Sequence, residues 1–263
     1  EDTPTFTVKQ IRDAVPSPDG GRLAFSALGR LYVLEGTEGE PRQVTDLPGN
    51  QHAPAWTPDG RELVFVNWDF DEGGHLWRVS AGGGNPRQIT TESAFWQQPV
   101  LTPDGRRVLA FRGPARAYVD AITQGVPFGS RELVWLPSAG GEATLIRSAG
   151  GISAPHFSTE GGGSGEAPTD RIFASGGGGA LVSFRWDGTD ERTHLRVTGP
   201  AAGGGSGSPP ASLVLLSPTG GAGLAQHGLQ LFTVHLPRVG GDPPTVSVSN
   251  PENASFPVRR LTD

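Results

Sequence analysis

Cysteine and methionine are both missing from the 263 residues, tyrosine occurs only twice, and no apolar run is long. Without cysteine there can be no disulfide, no thiolate nucleophile and no cysteine-bound metal. Without methionine the chain has no initiator at Glu1, so it is expected to be a processed mature protein or a segment of a longer one. No apolar stretch approaches the ~20 residues that a helix needs to cross a bilayer, so no transmembrane segment is expected. Charge is also sparse: 21 basic against 27 acidic side chains, a net of −6, with no basic run longer than Arg106-Arg107 or Arg259-Arg260. That balance argues against a general nucleic-acid binder, which needs a basic face. Several catalytic signatures are absent too. The six histidines form no close pair and no HExxH, no serine sits in GxSxG, and Gly82-Gly83-Gly84 lacks the lysine of a phosphate loop.

What the chain has in abundance is turn chemistry: 40 glycines and 24 prolines, close to a quarter of the residues. Most of them punctuate a repeat. Ser17-Pro18-Asp19-Gly20, Thr57-Pro58-Asp59-Gly60 and Thr102-Pro103-Asp104-Gly105 each precede an apolar run, namely Leu23-Ala24-Phe25, Leu63 to Val66 and Val108 to Phe111. In such a turn proline presets φ, aspartate accepts backbone amides and glycine takes positive φ. The far ends recur in phase as Arg42-Gln43-Val44-Thr45 and Arg87-Gln88-Ile89-Thr90. Short strands between turns, at a period of roughly 40 residues and four strands per unit, predict an all-β fold of propeller blades. Five units follow, at about 14–46, 53–90, 99–147, 154–198 and 211–262. They close a ring by themselves, belong to a larger one, or form a ring completed by another chain, with Phe6-Thr7-Val8 as a strand able to complete a sheet. The fourth and fifth units carry degraded turns, Thr159-Glu160-Gly161 and Pro218-Thr219-Gly220. Pro200–Pro210 and Gly240–Asn253 are expected as exposed loops, and Gly161–Gly165 and Gly203–Gly207 as mobile tracts. Val119–Thr123 is the one local helix candidate and is short for an independent helix.

With SPDGGRLAF, TPDGRELVF and TPDGRRVLAF in hand, the chain resembles the TolB-like, or WD40-like (PD40), β-propeller family. Its repeat runs from an S/T-P-D-G turn through a tyrosine- or tryptophan-bearing strand, here Tyr32, Trp77 and Trp135, to a terminal arginine, aliphatic residue and threonine. The likeness is strong over 14–136 and weaker over 155–262. A narrower likeness is carried by GGHLWRV at 73–79, RELVWLP at 131–137, LVSFRWDGTDERTHLRVTG at 181–199 and PRVGG at 237–241. These phrases are similar to the propeller portion of large bacterial amidohydrolase-like proteins. That resemblance implies a non-catalytic module that scaffolds or gates an adjoining hydrolase, with any divalent metal held in that neighbour and no cofactor in this chain. The barrel's metal-binding histidine pair is absent here, so no catalytic residue carries over. Two alternatives stay open. One is a freestanding envelope propeller that binds a protein or peptide; the other is the propeller region of a prolyl-oligopeptidase-like serine hydrolase. The resemblance implies an extracytoplasmic, periplasmic location, and composition does not discriminate.

Candidate site residues fall in three groups. His52 and His156 sit at matching places near the start of their units and are candidates to line a central channel. Asp69, Asp71 and Glu72, in a glycine-containing loop, form the best carboxylate cluster for a cation, although they lack EF-hand spacing. Asp187, Asp190 and Glu191 form a second such group. Trp68, Phe70, Phe95 and Trp96 lie near connections and are candidates for an apolar interface. Tyr118 and Phe128, within the long Gly113–Ser130 excursion, belong with them.

Overall fold

A computed structural model describes residues 10–127, 129–158, 170–199, 210–217, 222–227, 230–236, 242–249 and 257–262. Phe6-Thr7-Val8, Phe128, the turns at 159–161 and 218–220, and the tracts at 161–165 and 203–207 lie outside them. The chain divides into two compact units, Glu1–Ser148 and Ala149–Asp263.

The first unit holds three four-stranded antiparallel sheets, each a blade. The first blade is β1 (Arg12–Pro16), β2 (Arg22–Ala27), β3 (Arg30–Glu35) and β4 (Arg42–Gln43). The second is β5 (Asn50–Trp56), β6 (Glu62–Asp69), β7 (Gly73–Ser80) and β8 (Arg87–Gln88). The third is β9 (Phe95–Leu101), β10 (Arg107–Gly113), β11 (Glu132–Pro137) and β12 (Thr144–Ser148), with helix α1 (Ala115–Gln124) between its middle strands.

The recurring turn explains itself atom by atom. The Ser17 hydroxyl donates to Asp19 Oδ1 and accepts from Arg22 N at 2.9 Å. Gly21 N donates to Asp19 at 3.1 Å, Gly20 N donates to Ser17 O at 2.8 Å, and Gly20 sits at φ 74°. Thr57 to Glu62 and Thr102 to Arg107 repeat every one of these bonds. The hydroxyl bond, seconded by the backbone amide, holds Asp19, Asp59 and Asp104 below the usual carboxylate range.

The other recurring phrase joins one blade to the next. Arg42 donates to Ala81 O (2.9 Å) and Gly82 O (2.8 Å), and Arg87 donates to Ala139 O. Val44 N bonds its own blade at Leu31 O while Val44 O accepts from Gly84 N of the second. Ile89 does the same between Leu76 and Gly141. The glutamine steadies the phrase, Gln43 and Gln88 each donating to the carbonyl two residues on at 2.8 Å.

Between these links the blades bury both faces. In β6, Leu63 and Phe65 pack with Ala24, Leu31 and Val33 of the first blade. Their neighbours Val64 and Val66 pack with Trp96, Val108, Ala110 and Val134 of the third. All four β6 residues are fully buried, which is why this strand is a continuous apolar run and does not alternate.

The helix is longer than the expected Val119–Thr123. It spans ten residues, starts after Pro114 and ends at Gly125, whose φ of 67° lets its N–H reach Ala121 O at 3.1 Å. Proline ahead and left-handed glycine behind are ordinary helix limits.

The second unit holds two blades. One is β13 (Ser153–His156), β14 (Ile172–Gly176), β15 (Ala180–Phe184) and β16 (Arg192–Thr198). The other is β17 (Leu213–Leu216), β18 (Ala222–His227), β19 (Gln230–His235) and β21 (Val258–Arg260). The expectation of an exposed loop over Gly240–Asn253 is corrected here. Within it, β20 (Thr245–Ser247) adds a parallel fifth strand to β16, with Val197 opposite Val246. Val246 and Val248 are buried with Leu195, Val197 and Val214, because their alternation fits a strand covered on one face. Among the described residues, no helix is long and apolar enough to cross a membrane.

Candidate functional site

The first strands of four blades share an irregularity that side-chain pattern alone conceals. Asp13, Ala53, Gln98 and Ala154 all take left-handed φ, between 48° and 51°. Each lies at a break of register with the second strand of its blade. Left-handed backbone costs an L-residue about 1–2 kcal/mol, so four repetitions mark an enforced bulge. In the first unit the bulges are cross-linked: Asp13 Oδ2 accepts from Ala53 N at 3.0 Å and from Ser26 Oγ at 3.3 Å. Replacing Ala53 by glycine is therefore expected to raise stability by about 0.5 kcal/mol, strain relief exceeding the added chain entropy. Ala53→Val is expected to lower it by about 2 kcal/mol, since a β-branched residue is ill-suited to that φ. Urea midpoints of the two variants check the pair.

Beside these bulges opens a cavity of about 770 Å³ within the first unit. Gln10, Arg12 and Asp13 contribute from β1 and its approach, and Ser26 to Gly29 from the β2–β3 turn. Asn50, Gln51 and His52 open β5, Phe95 and Gln97 come from β9, and Tyr118 comes from α1. Gln51 is committed to the fold, accepting from Leu31 N (3.0 Å) and donating to Leu47 O (2.6 Å). Arg131 donates to Gln97 Oε1 at 2.8 Å and so sets that amide's orientation.

The two histidines of matching sequence position have different environments. His52 lies on the cavity wall with Nδ1 3.2 Å from Asn50 O. Burial lowers its pKa, against the smaller opposing pull of that carbonyl and of Asp13. His156 bridges two blades of the second unit. Its Nδ1–H donates to Ala154 O at 2.8 Å, and its Nε2 accepts from Leu216 N at 2.8 Å. Burial pushes its pKa down to about 4, so it is neutral at pH 7.

Among the aromatic candidates, four come together. Trp68 stands edge-on to Phe70 (6.3 Å), Phe95 (5.7 Å) and Tyr118 (5.0 Å), and Phe95 stacks on Tyr118 at 3.7 Å. Trp68 and Phe95 are buried, while Phe70 is 65% exposed. Trp96 is elsewhere, fully buried between the second and third blades. Asp69 is engaged by its own turn, accepting from Asp71 N (2.8 Å) and Glu72 N (3.1 Å). Asp190 gathers Arg171, Arg192 and Arg185, the bond from Arg171 doing most to hold it well below the carboxylate range. Asp187 closes a turn on Thr189. Among the described residues, no three or more histidine, aspartate or glutamate side chains are placed to hold a metal.

One serine–histidine contact escaped the sequence reading: Ser183 Oγ lies 2.7 Å from His194 Nε2. The two residues are on neighbouring strands in no recognisable spacing, so nothing in the sequence announced them. Ser183 is fully buried and accepts from Arg171 Nε at 2.9 Å, which suits a fixed strut and offers no access to a substrate.

No protein-family model matches the chain. The uncharacterized peptidase YuxL of Bacillus subtilis (strain 168) is 36% identical over 74 residues, which cover 26% of this chain and 11% of YuxL. A protein designated TolB from Agrobacterium tumefaciens superposes with a TM-score of 0.61 at 15% identity, covering 98% of this chain and 92% of that one. TolB from Acinetobacter baumannii gives 0.57 at 15%, over 86% of this chain and 51% of its own. An oligogalacturonate lyase in complex with manganese gives 0.57 at 17%, over 86% and 62%. At such identities the likeness is one of fold. The chain thus has the TolB-like β-propeller fold, in five blades of four antiparallel strands with one parallel strand added to the fourth.

Proposed function

We propose that this chain is a non-catalytic recognition propeller that binds an extended polypeptide segment in the cavity beside the Asp13, Ala53 and Gln98 bulges. The observation that carries the reading is the cavity's lining. Gln10, Asn50 and Gln97 bring side-chain amides to one space, together with the stacked pair Phe95–Tyr118 and the 65% exposed Leu28. An amide both donates and accepts, as a peptide backbone does, and the apolar groups suit intervening side chains. Arg12, Asp13 and His52 add charge or polarity for orientation. No cofactor enters this reading, and an extracytoplasmic location accords with the family resemblance.

The test is selection of random peptides of about 12 residues on phage, followed by calorimetry with the enriched sequence. A Kd in the micromolar range is expected, weakened about ten-fold or more by Gln97→Ala and by Leu28→Asp. Absence of enrichment, or affinity indifferent to both variants, overturns the proposal.

A second reading, favoured by the 36% match to a peptidase-named protein, sets the same propeller beside a hydrolase in one polypeptide. There it would scaffold or gate access, and the bound segment would be substrate on its way in. A serine hydrolase neighbour agrees with that relative's name; an amidohydrolase with its own divalent metal rests on the sequence phrases alone. Sequencing the gene beyond the codon for Asp263 decides between them.

A further inference from the structure

We infer a second docking surface, separate from the cavity, on α1 and the β6–β7 loop, fitted to a basic segment of a partner protein that carries apolar anchors. Helix α1 has no buried residue, and Ile122, one turn on from Tyr118, is 50% exposed. Phe70 is 65% exposed and shares Trp68 with Tyr118 as a packing partner. Loop and helix meet at Trp68, at the end of β6, whose ring stands edge-on to Tyr118 of α1 at 5.0 Å. A Cβ on Gly73 would lie 3.3 Å from that of Ala115, and Ser93 Oγ ties the loop to the approach to β9 by donating to Glu72 O. An apolar side chain held in this way on the surface, in a loop stiffened by the Asp69 turn, is an anchor awaiting a partner.

Charge selects the partner. Asp69 and Asp71 flank Phe70 in the chain and Glu72 follows; Glu92 precedes Ser93, which bonds Glu72 O, and Asp120 lies on α1 between Tyr118 and Ile122. Arg112, paired with Glu92 and Glu132, and Arg116, paired with Asp120 at 2.9 Å, offset part of this charge. The acidic excess therefore rests on Asp69, Asp71 and Glu72 beside Phe70. This acidic excess beside exposed Phe70 repels a second copy of this chain, which has a net charge of −6, and repels an anionic lipid surface. It attracts lysine and arginine beside leucine-like anchors.

The test uses the whole chain and two labelled amphipathic peptides of about 14 residues, identical in leucines but bearing lysine or glutamate elsewhere. Fluorescence anisotropy is expected to show the lysine peptide binding at least about ten-fold more tightly than the glutamate peptide. Phe70→Ser with Ile122→Ser should weaken it about ten-fold, as should Asp71→Lys with Glu72→Lys. Glu38→Lys with Glu40→Lys, an equal charge change on an exposed turn of the first blade, should weaken it less than about two-fold. Equal loss in both charge-reversed variants, no loss in the Phe70 and Ile122 variant, or no preference for the lysine peptide overturns the inference. So does a concentration-dependent dimer that Phe70→Ser abolishes. None of these substitutions lines the cavity, so the peptide affinity measured there reports separately.

Discussion

Trp96→Ala is expected to destabilise the fold by about 3–5 kcal/mol, the range for truncating a fully buried aromatic side chain. Trp96 has no exposed surface and sits among Val64, Val66, Leu76, Val108 and Val134, where the second blade meets the third. Its removal takes contacts from both blades at once, and strands on either side cannot collapse into the gap without breaking their ladders. Phe70→Ala, at the exposed end of the neighbouring aromatic cluster, should change stability by no more than about 0.5 kcal/mol. The pair of urea midpoints separates a core aromatic residue from an exposed one. A mild Trp96→Ala would mean that the two blades do not pack through this residue.

The second large effect is pH-dependent. His156 in the native chain has a pKa of about 4 against 6.5 for the free side chain. Between those values the unfolded chain binds the extra proton and the folded chain resists it. Stability contributed by neutral His156 is therefore fully present above pH 6.5 and is lost as pH falls through the window towards 4. The shift corresponds to about 3 kcal/mol across the window. Burial of the ring is the cause, and a proton on Nε2 would in addition take away the acceptor for Leu216 N–H, the bond that joins β13 to β17. His156→Ala should flatten this part of the profile while lowering stability at pH 7 by about 1–3 kcal/mol, since the Leu216 amide is left buried and unpaired. The paired carboxylates at Asp19, Asp59 and Asp104 have depressed pKa values and so add their own losses only at lower pH. Denaturation profiles of both proteins from pH 4 to pH 7 would contradict this if they ran parallel.

The blades were legible because their signals are local. The serine or threonine, aspartate and glycine of each turn bond one another within six residues, so their recurrence can be read directly. The arginine phrase was visible as a pattern, but its purpose, a bond to the following blade, needed coordinates. Trp96 was misplaced for a definite reason. The Gln98 bulge shifts the alternation of β9, so Trp96 and Leu101, of opposite parity, share one core cluster. Strands buried on both faces offer no polar side to reveal that shift. β20 was hidden by Gly241 to Pro244, which read as loop and mask the Val246–Val248 alternation that follows. The aromatic grouping of Trp68, Phe70, Phe95 and Tyr118 was partly foreseen because three of the four lie near the ends of strands of adjoining blades. Of the cavity wall, His52 was singled out in the sequence, whereas the bulges beside it leave no mark on residue type at Ala53 or Gln98.

A crystal structure of the chain with a phage-selected peptide tests the central claim most directly. The account predicts the peptide extended beside the Asp13 and Ala53 bulges, bonded to Asn50 and Gln97 and packed on Tyr118. A peptide seated on any other surface, with that cavity left empty, would contradict it.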